Sequence, residues 1–372
     1  MTLAEREISV VGGGVAGLAV ARACAVRRAL VTLTEQAPEI KEVGAGLQIS
    51  PNGYRVLHAL GLALPFRAIA LKANGVVLRK GRSGREVLKI DLSGAEVPYH
   101  FVHRADLIQL LLDGARSAGV QILLDTRTEP GDAPGLTIAA DGLHSEFRAR
   151  IEGGPREPKF TGQVAWRAVI PEDPSAPPVA EVFMGPGRHL VSYPLRGGRR
   201  NIVAVEERTG WVPETWHKED DPDHLREAFA RFGGPVRDWL DRVEQVNLWG
   251  LFRHPVAKRW FDDGAVLVGD AAHPMLPFLA QGANMALEDI WVVADRLERM
   301  DQDAALASYR KARRARVSRV VKVSLSNARN YHLRSPLAEA AHVALRVNTA
   351  LNPRSTLGQF DWLYGHDVTA AR

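Results

Sequence analysis

Glu7-Ile8-Ser9-Val10-Val11-Gly12-Gly13-Gly14-Val15-Ala16-Gly17 is a short apolar run closed by a glycine turn. Glu7 to Val11 has the length and β-branched content of a buried strand. Leu18 to Arg28 reads as a helix, and Ala29 to Thr34 as a second apolar strand ending in Glu35. Strand, glycine turn, helix, strand and acid, in that order, make a dinucleotide-binding unit. Gly12 permits the tight turn, Gly14 lets the backbone approach a pyrophosphate, and Gly17 lets the helix pack close on the sheet. The helix N-terminus presents free N–H groups and partial positive charge to the phosphates. Glu35, 23 residues after Gly12, is placed to accept the ribose hydroxyls. This unit specifies a dinucleotide without separating FAD from NAD.

Two later segments bear on that choice. Ala140-Asp141-Gly142-Leu143-His144-Ser145-Glu146-Phe147-Arg148 follows the strand-like Leu136 to Ala139. Gly269-Asp270-Ala271-Ala272-His273-Pro274 follows the strand Ala265 to Val268, and a helix is expected from near Gly282 through Leu297. Taken alone, Gly269-Asp270 equally suits a strand-end turn with a helix cap. The three motifs in this order resemble the class A, single-component flavoprotein aromatic hydroxylases, in particular the salicylate, hydroxybenzoate and hydroxynicotinate hydroxylase group. The resemblance covers almost the whole chain. It includes Gly44-Ala45-Gly46-Leu47-Gln48-Ile49-Ser50-Pro51-Asn52, His103-Arg104-Ala105-Asp106-Leu107, His189-Leu190-Val191-Ser192-Tyr193-Pro194 and Phe360-Asp361-Trp362-Leu363-Tyr364.

The resemblance implies an α/β fold. A Rossmann-like FAD-binding domain of the glutathione-reductase type carries an inserted antiparallel-sheet substrate domain, and helices end the chain. It implies FAD as cofactor, NADH or NADPH as co-substrate, and O₂ and a small aromatic as substrates, with hydroxylation through a flavin C4a-hydroperoxide. Asp270 is then expected on a ribityl hydroxyl, Arg104 on the phosphate or ribose side, and Pro274 near flavin C4a. Asp141 is expected to help both FAD and nicotinamide binding. The helix beginning near Gly282 and Ala283 would aim its N-terminus at the pyrimidine edge, where its dipole stabilises negative charge. Val15, Ala16, Gln36, Gly46, Gly269 and Asn284 complete the expected cofactor set. Arg104 also suits a surface helix, and His273 and His144 are read as capping or packing residues. No second glycine fingerprint exists for the nicotinamide, and the resemblance requires none.

Electrophilic attack on a phenol needs an electron-rich ring, so a base or proton relay belongs at the substrate, and histidine suits that task near neutrality. His189 and Tyr193 are four apart in a β-rich stretch, so both side chains share one face. The resemblance makes these two the expected relay or substrate clamp, against a sheet-packing alternative, and adds Gln48 as a polar contact. Trp166-Arg167 reads as structural. Phe278 and Leu279 are apolar where relatives carry polar groups, which leaves room for a larger or non-phenolic substrate. Arg188, Arg196 and Arg199 are candidate carboxylate binders, with nothing to select one.

The FAD domain is expected from residues 1–70, 101–158 and 250–300, the substrate domain from 71–100 and 159–249, and a helical region from 301–372. Only Leu124 to Gly135 separates the strand near Gln121 from the Asp141-Gly142 motif. The antiparallel meander that relatives place there is therefore expected to be missing, which leaves a non-enzymatic flavin binder as a third reading. The 372 residues exceed what one core usually supports, and 46% hydrophobic with 24% charged residues is ordinary for a globular enzyme. The net charge of +5 is dispersed except at Arg310-Lys311-Ala312-Arg313-Arg314-Ala315-Arg316, which reads as the solvated face of a helix rather than a nucleic-acid patch. The single cysteine, Cys24, excludes an internal disulfide and a cysteine metal site. With no apparent signal peptide or membrane-length apolar run, a cytoplasmic protein is expected. A homodimer is a family-level expectation, and no metal is expected.

Overall fold

Ile8 and Val10 have essentially no exposed surface, because the first strand, Glu7–Val11, is flanked on both sides. It lies at the centre of a five-stranded parallel sheet ordered Ala265–Leu267, Leu136–Ala139, Glu7–Val11, Leu30–Thr34, Gln121–Leu123. The computed structural model describes residues 3–40, 45–210, 219–351 and 358–370. Gly44 lies outside them. The dinucleotide helix spans Val15–Ala25, three residues earlier at each end than the sequence suggests. Gly14 is still extended and acts as its N-cap, so the helix starts on the next residue, and the chain reverses at Arg28 with φ +67°.

An eight-stranded sheet forms the second layer, in the order Glu219–Asp220, Val246–Arg253, Lys159–Pro171, Arg199–Glu207, Arg188–Leu195, Val179–Gly185, Gly75–Lys80, Glu86–Asp91. Its pairings are antiparallel except between Val179–Gly185 and Gly75–Lys80. Strand Val246–Arg253 crosses residue 250, where the sequence placed a domain boundary. Strand alternation gives this sheet two unlike faces. Trp166, Leu190, Ile202, Ala204 and Leu248 form an apolar core with Leu225, Phe229, Trp239 and Leu240 of the short helices Pro222–Phe229 and Val236–Asp241. The opposite face carries Arg167, His189, Val191, Tyr193 and Val203 toward the glycine turn of the first layer. A small sheet of Gly46–Ile49, His100–His103 and Leu71–Lys72 lies between the layers.

Between Leu123 and Leu136 the chain forms no strand. The link instead folds back on the second strand, with Thr126 N–H donating to Glu35 O and Asp125 N–H to Ala37 O. The meander is absent.

Helices dominate the C-terminal part, led by Gln302–Tyr331. The basic run on that helix is not a solvated face throughout. Arg313 is buried, and its Nε donates to Asp289 Oδ1 at 2.7 Å while Nη1 pairs with Glu288. Arg316 adds two bonds to Glu288, at 2.7 and 2.8 Å. The spacing of Val317 and Val320 identified the core face correctly, but Arg313, four residues before Val317, lies on that same face. Asp289 also pairs with His273 and accepts from Gly269 N–H, and Glu288 accepts from Asn52 Nδ2 at 2.6 Å. Among the described residues no helix is long and apolar enough to cross a membrane, and no group of His, Cys, Asp and Glu could hold a metal ion.

Burial pushes the Glu288 and Asp289 carboxyls up, but their cationic neighbours more than offset it and hold both below their ordinary values. Groups with depressed folded pKa stabilise the protein above their unfolded pKa, and that contribution is lost as pH falls through the folded values. Arg313→Ala removes the cation shared by two buried carboxylates and should cost about 3–5 kcal/mol. Urea unfolding at pH 7 measures this, and the difference from the parent protein should shrink as pH falls below about 4. A loss under about 1 kcal/mol would show that the cluster is not what holds the two helices together.

Candidate active site

The glycine turn is built by close approach. A Cβ on Gly17 would lie 1.8 Å from the Gly12 carbonyl oxygen, and one on Gly12 2.5 Å from the Ala140 oxygen. Gly12 also needs its φ of +104°. Gly14 differs, because a Cβ there would meet no protein atom within 4 Å. It faces the mouth of a cavity of about 930 Å³, together with Val15 and Ala16. Ala140 and Gly142 line the same wall, so the second motif meets the first there.

Asp141 itself stands behind this wall. Burial raises its pKa, and its Oδ1 is buried without a hydrogen-bond partner among the described residues. Asp270 does line the cavity, on the turn that starts at Gly269 with φ +59°. Enclosure by protein raises the Asp270 pKa, against the pull of His273, Arg104 and His254. Gly269 is needed because Ala16 and Ala286 lie 3.2 and 3.3 Å from where its Cβ would sit. Helix Gly282–Arg299 begins at the cavity, with Gly282 and Ala283 on the lining. Arg104, at the start of helix Arg104–Ser117, lines it as well.

The Glu35 carboxylate folds onto the glycine turn, accepting from Gly13 N–H at 2.6 Å and Ala37 N–H at 2.9 Å. Each oxygen keeps acceptor capacity for a ribose hydroxyl. Gln36 beside it is exposed. Asn284 points away from the cavity. Its side chain accepts from Ser50 N–H and donates to the Gln48 and Ala280 carbonyls, so it fixes the loop rather than a ligand. Pro274 is buried off the lining, whereas Pro277, which opens the turn Pro277–Leu279, is on it. The proline facing the cavity is thus three residues later than the sequence reading placed it.

On the sheet side, His189 and Tyr193 face the cavity together. Tyr193 stacks on Phe101 at 4.8 Å, and burial raises its pKa, with Arg167 and a hydrogen bond from Gln48 opposing. Gln48 also accepts from the Tyr99 hydroxyl at 2.7 Å. Gly46 is required beside them, since a Cβ there would lie 2.7 Å from the Tyr193 ring. His189 is buried between Phe278 and Tyr331, and desolvation and then His332 lower its pKa well below normal, so it is neutral at pH 7. The roof is helix Leu337–Leu351, through Ala341, Ala344 and Leu345, with Tyr364 beside it.

An open glycine edge, a helix N-terminus and an acid on one cavity fit a flavin dinucleotide. The family profile described as "FAD binding domain" matches residues 133–324. The 3-amino-4-hydroxybenzoate 2-monooxygenase PtnB3 of Streptomyces platensis is 33% identical over 389 residues, covering 97% of this chain and 96% of that protein. The chain belongs to the class A FAD-dependent aromatic hydroxylases. The 3-hydroxybenzoate 6-hydroxylase of Polaromonas naphthalenivorans is 31% identical, covering 98% and 97%. In structure the hydroxylase chain resembles Klebsiella pneumoniae HpxO complexed with FAD and uric acid, with TM-score 0.80, 25% identity and 92% of each chain covered. A salicylate hydroxylase substrate complex gives TM-score 0.79 at 23% identity, covering 98% and 96%.

None of the three arginines offered for a carboxylate reaches the hydroxylase cavity. Arg188 pairs with Glu206, Arg199 pairs with Asp106, and Arg196 donates to the Ala70 carbonyl. Arg167, read from sequence as structural, lies on the lining over the Trp249 ring at 4.4 Å, and desolvation lowers its pKa to about 10. Its neighbour Trp166 faces the other way and donates to Asp220. Strand alternation separates the two, but which parity faces the cavity depends on a register that only the folded sheet supplies.

The two glycines should respond differently to a methyl group. Gly17→Ala should lower the melting temperature of the flavin-free protein. Gly14→Ala should leave that temperature within about 2 °C of the parent yet weaken FAD binding at least tenfold, as followed by flavin fluorescence quenching. Unchanged FAD affinity in Gly14→Ala would place the cofactor elsewhere.

Proposed function

We propose that this protein is an FAD-dependent monooxygenase that hydroxylates a small aromatic acid carrying a phenolic hydroxyl, with NADH or NADPH and O₂ as co-substrates. The observation that carries this is one continuous cavity, bounded on one side by Gly14, Asp270 and Gly282 and on the other by His189, Tyr193 and Arg167. When bound, FAD supplies the activation of O₂ after reduction by the nicotinamide. Gly14, Asp270, Arg104 and the first turn of helix Gly282–Arg299 would hold it, with Glu35 on the ribose and Asp141 supporting the wall behind Ala140 and Gly142.

The chain's own residues do the rest. The Arg167 guanidinium is desolvated beside Trp249, and a substrate carboxylate there forms a charge-assisted pair worth more than at the surface. Tyr193 and Gln48 orient the ring through hydrogen bonds. Neutral His189 accepts the phenolic proton, which raises the electron density of the ring before attack. Phe278, Leu279 and Leu276 keep water from that step. Relatives at 31–33% identity that act on 3-hydroxybenzoate and 3-amino-4-hydroxybenzoate by name support a benzoate-sized substrate. An apolar lobe lined by Leu78, Leu88 and Ile90 favours, as a second reading, a two-ring acid.

Titration of the oxidised, FAD-loaded protein separates these readings. 3-Hydroxybenzoate or 3-amino-4-hydroxybenzoate should perturb the flavin spectrum and stimulate NAD(P)H oxidation, and phenols lacking the carboxylate should bind at least tenfold more weakly. Arg167→Met should abolish that preference. 1-Hydroxy-2-naphthoate outcompeting both benzoates selects the two-ring reading, and silence across the panel removes the aromatic-acid reading altogether. His189→Ala should retain FAD but lower the hydroxylation rate by about 100-fold or more.

A further inference from the structure

His189 is the inner end of a chain of titratable side chains that runs to the surface. Its Nδ1 lies 2.7 Å from His332 Nε2, and His332 Nδ1 lies 2.9 Å from Glu207 Oε1. His189 is on strand Arg188–Leu195, Glu207 ends the neighbouring strand Arg199–Glu207, and His332 caps helix Gln302–Tyr331. Both histidines are buried, whereas the Glu207 side chain is 44% exposed. The turn at Gly187 pins the outer end, its N–H donating to His332 O and its carbonyl accepting from Glu207 N–H.

We propose that His332 and Glu207 form the outlet through which the proton taken by His189 from a phenolic substrate reaches water. This rests on His189 being the base. The hydrogen bonds fix the direction. The Glu207 carboxylate only accepts, so His332 Nδ1 carries hydrogen and Nε2 has the lone pair. Gln163 Nε2 lies 3.3 Å from the same Nδ1, so this tautomer requires the amide to flip and present its oxygen there. His189 Nδ1 must donate to His332, which leaves His189 Nε2 as the acceptor for the cavity that His189 lines.

The transfer balances. The phenolic O–H bond breaks as His189 Nε2–H forms. His189 Nδ1–H breaks as His332 Nε2–H forms, and His332 Nδ1–H passes to Glu207 and water. One proton leaves, and no imidazolium stays where burial opposes it. Desolvation lowers the pKa of His332 as well, while the Glu207 carboxylate pulls it back up and Arg188 lowers it further. The other groups facing this outlet are Tyr331 against His189 and Arg334, whose Nη2 is 3.7 Å from Glu207 Oε2.

Two measurements test the outlet. Nitrogen-15 spectra of histidine-labelled, FAD-loaded protein at pH 7 should show His189 protonated at Nδ1 and bare at Nε2, with His332 in the same tautomer. His189 protonated at Nε2 would overturn the proposal without any substrate. In stopped-flow pH jumps with the phenol that binds best in the panel, Glu207→Gln and His332→Gln should slow ionisation of the bound phenol about tenfold. Its Kd should stay within twofold, and high buffer concentration should restore the rate in Glu207→Gln. Wild-type rates in Glu207→Gln, alongside loss of ionisation in His189→Ala, would remove the outlet and leave the base. Full ionisation in His189→Ala would remove both.

Discussion

Glu288 and Asp289 sit side by side on one helix with no exposed surface, and the rest of the site is arranged around supplying them with partners. Arg313 bridges both, Arg316 and Asn52 complete Glu288, and His273 and Gly269 N–H complete Asp289. Such buried pairs add little net stability over an apolar core, but leaving one member alone is costly. Their effect is therefore on geometry. The cluster ties helix Gln302–Tyr331, the turn carrying Asp270, and the helix that opens at Gly282 into one relative position. The acid and the helix terminus that face the cavity keep their spacing through a network whose side chains lie off its lining.

The second half of the site follows from sheet alternation. One face of the eight-stranded sheet is filled by Trp166, Ile202 and Leu248 under two short helices, so the other face is left to the cavity. Tyr193 can lie flat there because residue 46 has no side chain, and the Gly46 N–H is taken by Asn201 Oδ1 at 2.7 Å. Glycine at 46 thus serves the sheet side of the site, while its strand neighbour Gln48 bonds both Tyr99 and Tyr193.

Local pattern made much of this legible. The strand–glycine–helix–strand opening, the missing meander and the shared face of His189 and Tyr193 all depend on short-range spacing, which sequence preserves. What sequence could not show depends on distant partners. Arg313 is basic and looks solvated until Glu288 and Asp289 are brought to it. Arg167 is one of many arginines until the register of its strand turns it to the cavity. His332 lies 143 residues from the histidine it bonds. Pro274 and Pro277 differ only in how the turn between them winds, and Asn284 was drawn from motif position although its amide is consumed by Ser50, Gln48 and Ala280.

The floor and the roof of the cavity are made of different materials. The floor is paired strands whose side chains are locked by cross-strand neighbours. The roof is one surface helix that contributes the methyl groups of Ala341 and Ala344 and the side chains of His342 and Leu345. Its opposite side leaves Val343 and Val347 largely uncovered. Bulk added or removed at those two alanines would resize the chamber without disturbing the reactive groups beneath, so the lineage can change the ring it accepts by editing a ceiling while the working surface stays as it is.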